Sequence, residues 1–461
     1  MTGETQEHAP VNRAGRTRFI ILAAVSVLIA VSPHSAAAAD VQQKQNALRA
    51  KFQVILEKIV KRYNLPGATA AYVLPDGSAE VFAAGFADKE THQKMRPQAR
   101  MLSGSIGKTF VAASVLKLAQ EGRLDLDAKI SKWLATEPWF PRLPNREDIT
   151  LRMLLNHTSG LKDHVKQPEF EKAIKDDPRR VLSHEKLISF VLDQPPLFPA
   201  GKGFYYSDTN FILAGMIIEK VTGESYYEFI QQKFLAPLAL TNTTPSGMKR
   251  LSGLVTGYMP SDNFFGIDAT RTITHGRMVY APENEWTGGG LATNSYDLAR
   301  WARALFEGLA LDRDFVKQML IPGFPPGQAS IEDSYRYGLG VMIYKSSVGL
   351  MYGHSGWIPG YTSIMWYVPS LKIAVAFQTN GDEGTEYGSI TGTIAEASKR
   401  TTTDIVGDNA VLEAIRNELL DTVAHAVSNL KDQVHSKCEA TPHLGCPGSA
   451  PKTSRRPDDG V

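Results

Sequence analysis

Cysteine is nearly absent from this 461-residue chain: there are two, Cys438 and Cys446, both near the C-terminal end. That scarcity excludes a disulfide-built scaffold. With no H-E-x-x-H string either, neither a structural nor a catalytic metal centre has sequence support. The pair itself allows a small disulfide loop or two free thiols. No charge of one sign dominates. Lys plus Arg number 50 against 48 Asp plus Glu, a formal +2 spread along the chain, so nothing marks a nucleic-acid partner. No apolar run reaches the roughly 20 residues that a membrane-spanning helix needs, and no internal repeat is visible.

What is present is an ordinary globular composition, 43% hydrophobic. At this length it suits one large two-lobed unit or two domains. Arg13, Arg16 and Arg18 precede the apolar residues 19–31, and small residues 36–39 lead to Asp40. Basic region, apolar core and A-x-A-like site in that order predict a signal peptide over residues 1–39 and a mature chain that is secreted or periplasmic. An uncleaved anchor is the alternative. No Arg-Arg pair precedes the run and no Cys follows it, so neither a twin-arginine nor a lipoprotein signal is indicated.

Leu48, Phe52, Ile55, Leu56, Ile59 and Val60 recur at helical spacing, which predicts an amphipathic helix over residues 44–63. Pro75-Asp76-Gly77 between residues 68–74 and 79–84 reads as a hairpin. From Ser105 to about Gln120 the chain is apolar nearly all round, as in a helix at the centre of a domain. Residues 125–280 read as mostly helical, with clear helices at 211–221 and 226–234. A further helix at 295–306 follows Gly288-Gly289-Gly290, and strands follow at 338–344, 350–353, 361–368 and 373–378. The expected class is α+β, an antiparallel β-sheet flanked by helices with an all-helical lobe at about 105–285. The domain would span 40–430, and the Pro-, Gly- and charge-rich residues 431–461 would form a disordered tail.

Ser105-Ile106-Gly107-Lys108 opens the buried helix, Tyr206-Ser207-Asp208 follows about a hundred residues later, and His354-Ser355-Gly356 lies far downstream. A serine hydroxyl is a poor nucleophile near neutral pH and needs a base within reach. Residues i and i+3 share a helix face, which sets Lys108 beside Ser105. At a helix N-terminus the unpaired N–H groups also favour a developing oxyanion. S-x-x-K strings begin at Ser114, Ser183, Ser246, Ser428 and Ser449 as well, so order and context select Ser105. Taken alone, Ser105 and Lys108 read as a helix cap and a solvated lysine, and Tyr206 and His354 as a core aromatic and a strand histidine. His157 reads as structural. Trp286, Phe264 and Phe265 line a pocket or pack in the core.

In these motifs the chain resembles the serine β-lactamase and penicillin-binding protein superfamily, in the branch of class C β-lactamases, DD-carboxypeptidases and related esterases. Residues 154–161, the Gly288-Gly289-Gly290-Leu291 run and residues 354–361 carry the resemblance further, over about 45–400. It implies Ser105 as acylated nucleophile, Lys108 and Tyr206 as proton carriers, and Asp208, His354, Ser355 and Gly356 at the substrate. It further implies an oxyanion hole from the backbone N–H groups of Ser105 and Trp357. No cofactor is implied. The substrate would be a small-molecule or peptide acyl donor such as a peptidoglycan stem peptide.

One departure matters. The branch carries Asn where this chain has Asp208, and a carboxylate cannot donate as an amide does. Asn210 is turned to another helix face, and the strand at 338–344 offers no cation for a substrate carboxylate beyond flanking Arg336 and Lys345. The leading expectation is a serine hydrolase of DD-carboxypeptidase type. A carboxylesterase, a β-lactamase or a penicillin-acylated sensor module are the alternatives.

Overall fold

The strands alternate only weakly in polarity because both faces of the main sheet are covered. In Ile373–Thr379, Ile373, Val375 and Phe377 pack into one core layer, and Ala374 and Ala376 into the other. The computed structural model describes residues 33–247, 251–323, 335–346, 348–382 and 410–440. Most of the expected signal segment therefore lies outside the described residues, as do Cys446 and the side chain of Cys438. The chain divides into a short first unit, Met1–Gln45, and a second, Asn46–Val461, that carries the fold.

Eight strands make the main sheet: β1 (Gly67–Val73), β2 (Ala79–Asp88), β3 (Gln93–Lys94), β4 (Tyr335–Tyr337), β5 (Met342–Ser346), β6 (Gly349–Ile358), β7 (Tyr361–Val368) and β8 (Ile373–Thr379). Their order is β3-β2-β1-β8-β7-β6-β5-β4, antiparallel at every pairing. The N- and C-terminal parts of the sheet thus join through β1 and β8, in register from Ala68 opposite Thr379 to Val73 opposite Ala374.

Five longer helices frame it: α1 (Pro33–Arg62), α2 (Gly107–Gln120), α3 (Asp208–Thr222), α4 (Ser295–Phe306) and α5 (Ala410–Ala440). Leu48, Phe52, Leu56 and Ile59 of α1 join Ile415, Leu419, Leu420, Val423 and Val427 of α5 over one sheet face. The other face meets α4 and, through it, the helical lobe around α2 and α3. Phe110 of α2 stacks on Trp301 of α4 at 4.0 Å between ring centroids, and the indole N–H donates to Thr109 Oγ1 at 2.8 Å.

The α+β class holds, with local differences. The expected strand at 338–344 begins only at Met342, because Gly338 N–H bonds the Val341 carbonyl in a turn that separates β4 from β5. The helix α5 continues to Ala440, into the segment expected to be a disordered tail. Residues 441–461 lie outside the described residues. Among the described residues no helix is long and apolar enough to cross a membrane, and no cluster could hold a metal ion.

Candidate active site

The α-helix α2 starts two residues later than the sequence suggests: Gly104–Ile106 is a 3-10 turn that presents Ser105, partly exposed, ahead of Gly107. This turn is pinned from several sides. Ser103 N–H bonds the Leu291 carbonyl at 2.9 Å, and Ser363 Oγ donates to the Ser103 carbonyl at 2.7 Å. Gly104 has φ +52°, and a Cβ there would lie 2.6 Å from Trp357 N. Only glycine allows both the left-handed backbone and that approach, so Ser105 and Trp357 are brought side by side. Both residues line the same cleft.

Lys108 is fully buried, and its Nζ has three neighbours: Ser105 Oγ at 2.9 Å, the Gly288 carbonyl at 2.5 Å and Asp208 Oδ1 at 2.5 Å. An ammonium donates to Ser105 Oγ and to the Gly288 carbonyl and pairs by charge with Asp208. A neutral amine would keep donating to Gly288 and accept from the Ser105 hydroxyl. The same contacts therefore serve both protonation states, and the serine proton can pass with little movement of heavy atoms. The Tyr206 ring lies with its centroid 5.0 Å from the same Nζ.

Tyr206 is held by His157, whose ring stands 4.2 Å from it, while His157 Nδ1 accepts the Ser207 N–H at 3.2 Å. Burial and the Lys108 charge push this histidine well below the ordinary range, so it stays neutral. His157 is thus structural, as expected. Asn210 also points away from the cleft, since Ser159 Oγ donates to its Oδ1 at 2.6 Å. Ser159, which itself has a lysine three residues on, is thereby engaged elsewhere, as is Ser114, whose Oγ donates to the Phe110 carbonyl.

A cleft opens over this group, lined by Ser105, Tyr206, Asp208, His354, Ser355, Gly356 and Trp357 together with Phe264, Phe265 and Met342. His354 reaches it from a fully buried position. Its Nε2 bonds the Tyr337 hydroxyl at 2.9 Å and its Nδ1 faces the Ser355 carbonyl at 2.5 Å. Burial first, and then Lys108, push its pKa down to about 3, so the ring is a neutral strut beside the cleft. Gly356 lies so close to the Ser103 carbonyl that any Cβ would collide with it. Phe264 and Phe265 line the cleft, whereas Trp286 packs on His184 at 3.3 Å.

Three ionisable residues in the cleft escaped the sequence reading: Asp163, Lys166 and Glu285. Asp163 Oδ1 accepts the Asp208 N–H at 3.1 Å. Burial and the neighbouring Asp208 push its carboxyl up to about 7 and that of Glu285 to about 8. Lys166 supplies a cation that the strand lacks, and neither Arg336 nor Lys345 lines the cleft. Asp163 caps the 3-10 turn His164–Lys166 and Glu285 lies in the 3-10 segment Pro282–Gly288, both too short to show a periodicity. The signals available were the acid just after the residues 154–161 string and the acidic pair in Pro282-Glu283-Asn284-Glu285.

A profile of the family described as Beta-lactamase matches residues 52–398. The chain is 26% identical to penicillin-binding protein 4* of Bacillus subtilis (strain 168) over 360 residues, covering 75% of this chain and 74% of that protein. Among solved structures it is similar to a D-stereospecific amidohydrolase from Streptomyces sp., with 29% identity, a TM-score of 0.62 and coverage of 72% of this chain and 94% of that one. It is also similar to D-amino acid amidase from Ochrobactrum anthropi SV3 complexed with D-phenylalanine. There the identity is 25%, the TM-score 0.65 and the coverage 83% of this chain and 99% of that one. With its matched residues spanning most of the chain and Ser105 and Lys108 in contact beneath a cleft, this protein belongs to the beta-lactamase family and is a serine hydrolase of the penicillin-binding protein fold.

Proposed function

We propose that the chain is a D-stereospecific amide hydrolase working through an acyl-enzyme on Ser105. The observation that carries the chemistry is the 2.9 Å contact between Ser105 Oγ and the buried Lys108 Nζ at the floor of an open cleft. Ser105 Oγ attacks the scissile carbonyl carbon and its proton passes to Lys108 Nζ. The oxyanion is met by the N–H groups of Ser105 and Trp357. As the carbon–nitrogen bond breaks, Lys108 or the Tyr206 hydroxyl returns a proton to the departing amine. Water then cleaves the Ser105 ester.

The D-specific substrate is supported by the likeness to the two D-specific amide hydrolases. A DD-carboxypeptidase is the second reading, favoured by Lys166, which gives the cleft a cation for a terminal carboxylate. The signal-like residues 1–39 would place either enzyme outside the cytoplasm, with peptidoglycan fragments at hand.

A substrate panel tests this. Turnover of D-phenylalanine amide well above its L form supports the proposal, and preferred release of D-alanine from a D-Ala-D-Ala peptide selects the second reading. Turnover of p-nitrophenyl acetate without any amide would make the protein an esterase. Stable penicillin acylation without turnover would make it a sensor.

A further inference from the structure

The Ser105 ester is opened by water, and water attacks poorly unless a base takes its proton. The ionisable side chains at the cleft differ in what they have free. His354 is neutral and both of its ring nitrogens face partners. Asp208 is paired with Lys108, and Asp163 accepts N–H groups from Asp208 and Val165. Glu285 lines the cleft with Ser105 and makes no hydrogen bond or ion pair with any described residue.

Its placement ties it to Lys108. The Gly288 carbonyl accepts from Lys108 Nζ, and a Cβ on Gly288 would lie 3.4 Å from Glu285 Oε2 and 3.6 Å from Asp208 Cγ. The mount is firm: the next residue, Trp286, is buried, held at φ +36° and stacked on His184, a backbone state that persists only where the surroundings enforce it. Behind the carboxyl lies a second space, lined by Glu285, Asp208 and His164 among mainly apolar side chains, that takes a water molecule but no side chain. It shares Asp208, Phe265 and Glu285 with the cleft. A held water needs two to four polar partners, and these three ionisable side chains offer them at the edge of the Ser105 cleft.

We propose that Glu285 is the general base of deacylation, taking a proton from the water that attacks the Ser105 ester. This rests on the reading of the chain as a hydrolase with an acyl-enzyme. The water oxygen bonds to the ester carbonyl carbon as one of its protons goes to the Glu285 carboxylate. The bond from that carbon to Ser105 Oγ then breaks, and the proton passes by way of Lys108 Nζ to Ser105 Oγ. A free carboxylic acid and the serine hydroxyl result, with Glu285 a carboxylate again. The groups around Glu285 set the pH at which it works. Burial, then Asp208 and Asp163, raise its carboxyl to about 8 against the pull of Lys108, and Tyr227 and Tyr280 also lie within its field. A base serves best when its pKa lies near the working pH, and only the ionised form can take the proton.

The test separates the two half-reactions. Acetyl-enzyme made with p-nitrophenyl acetate is freed of excess ester, and loss of the Ser105 adduct is followed by intact mass at pH values on either side of about 8. In the parent the loss should quicken through that pH and level off above it. Glu285→Gln should lose the adduct about 10²-fold more slowly or worse, without the pH step, so that acyl-enzyme accumulates during turnover. Glu285→Asp, which keeps a carboxyl, should recover part of the rate and the step. Loss at the parent's rate in Glu285→Gln would overturn the inference, as would equal slowing of adduct formation and loss, which marks a structural role; the hydrolase reading stands in both cases. If p-nitrophenyl acetate, D-phenylalanine amide and penicillin all fail to acylate Ser105 in the parent, that reading falls and the inference with it.

Discussion

In the proposed acyl transfer Lys108 takes up and returns a proton while touching Ser105, Gly288 and Asp208, so that chemistry turns on single atoms around its Nζ. Lys108→Ala should lower kcat/KM by about 10²–10⁴-fold, the range for a positioned acid–base group. Asp208→Asn keeps the shape, removes the charge and adds a donor. It should shift preference toward penicillin and N-acylated substrates relative to free amines by about 10-fold, read as a ratio of kcat/KM values. Glu285 predicts a pH effect on stability. Its carboxyl is raised to about 8 in the fold, so below about pH 4 it is neutral both folded and unfolded. As pH rises the unfolded chain loses the proton first, and stability is lost between the two values. The melting temperature of Glu285→Gln should therefore climb relative to the parent from pH 5 to pH 8. A constant difference would contradict the burial of this acid.

Among the elements, the contact between β6 and the Gly104–Ile106 turn sets the reactive geometry. Gly356→Ala must push the strand from the Ser103 carbonyl. It should slow Ser105 acylation at least about 10-fold, since small misplacements are costly in catalysis, while far-ultraviolet circular dichroism stays near that of the parent. The gathering of these residues was legible in the sequence, since Ser105, Tyr206 and His354 line one cleft above Lys108, but Ser105 sits in a 3-10 turn ahead of α2 and the strand expected at 350–353 runs on through His354 to Ile358. The helix at 295–306 and the β1–β2 hairpin were also readable, from helical spacing and from Pro75-Asp76-Gly77. Asp163, Lys166 and Glu285 were not. They enter the cleft from loops and short 3-10 turns whose path is set by tertiary packing, and no periodicity announces them. The start of β5 was misplaced for a related reason, since Gly338 and Gly340 are spent on a turn against Met319 and Leu155 rather than on a strand.

At the scale of the whole molecule, α5 closes the sheet face opposite the helical lobe. Ile415, Leu419, Leu420, Val423 and Val427 are nearly inaccessible there. At about 1.5–3 kcal/mol for each large side chain buried, their removal approaches the roughly 5–15 kcal/mol net stability of a domain. A chain ending before residue 410 should therefore aggregate or melt well below the full chain in a thermal scan, although it keeps every residue of the cleft. Normal melting of that shortened chain would show that the helix is dispensable.

All of this depends on Ser105 carrying the acyl group. The direct measurement is intact-mass analysis of the full chain, acid-quenched during reaction with a labelled penicillin, D-phenylalanine amide or p-nitrophenyl acetate, followed by peptide mapping. A single adduct on Ser105 that is lost in Ser105→Ala and kept in Ser114→Ala is the predicted result. An adduct on another serine, or turnover that persists in Ser105→Ala, would contradict the account.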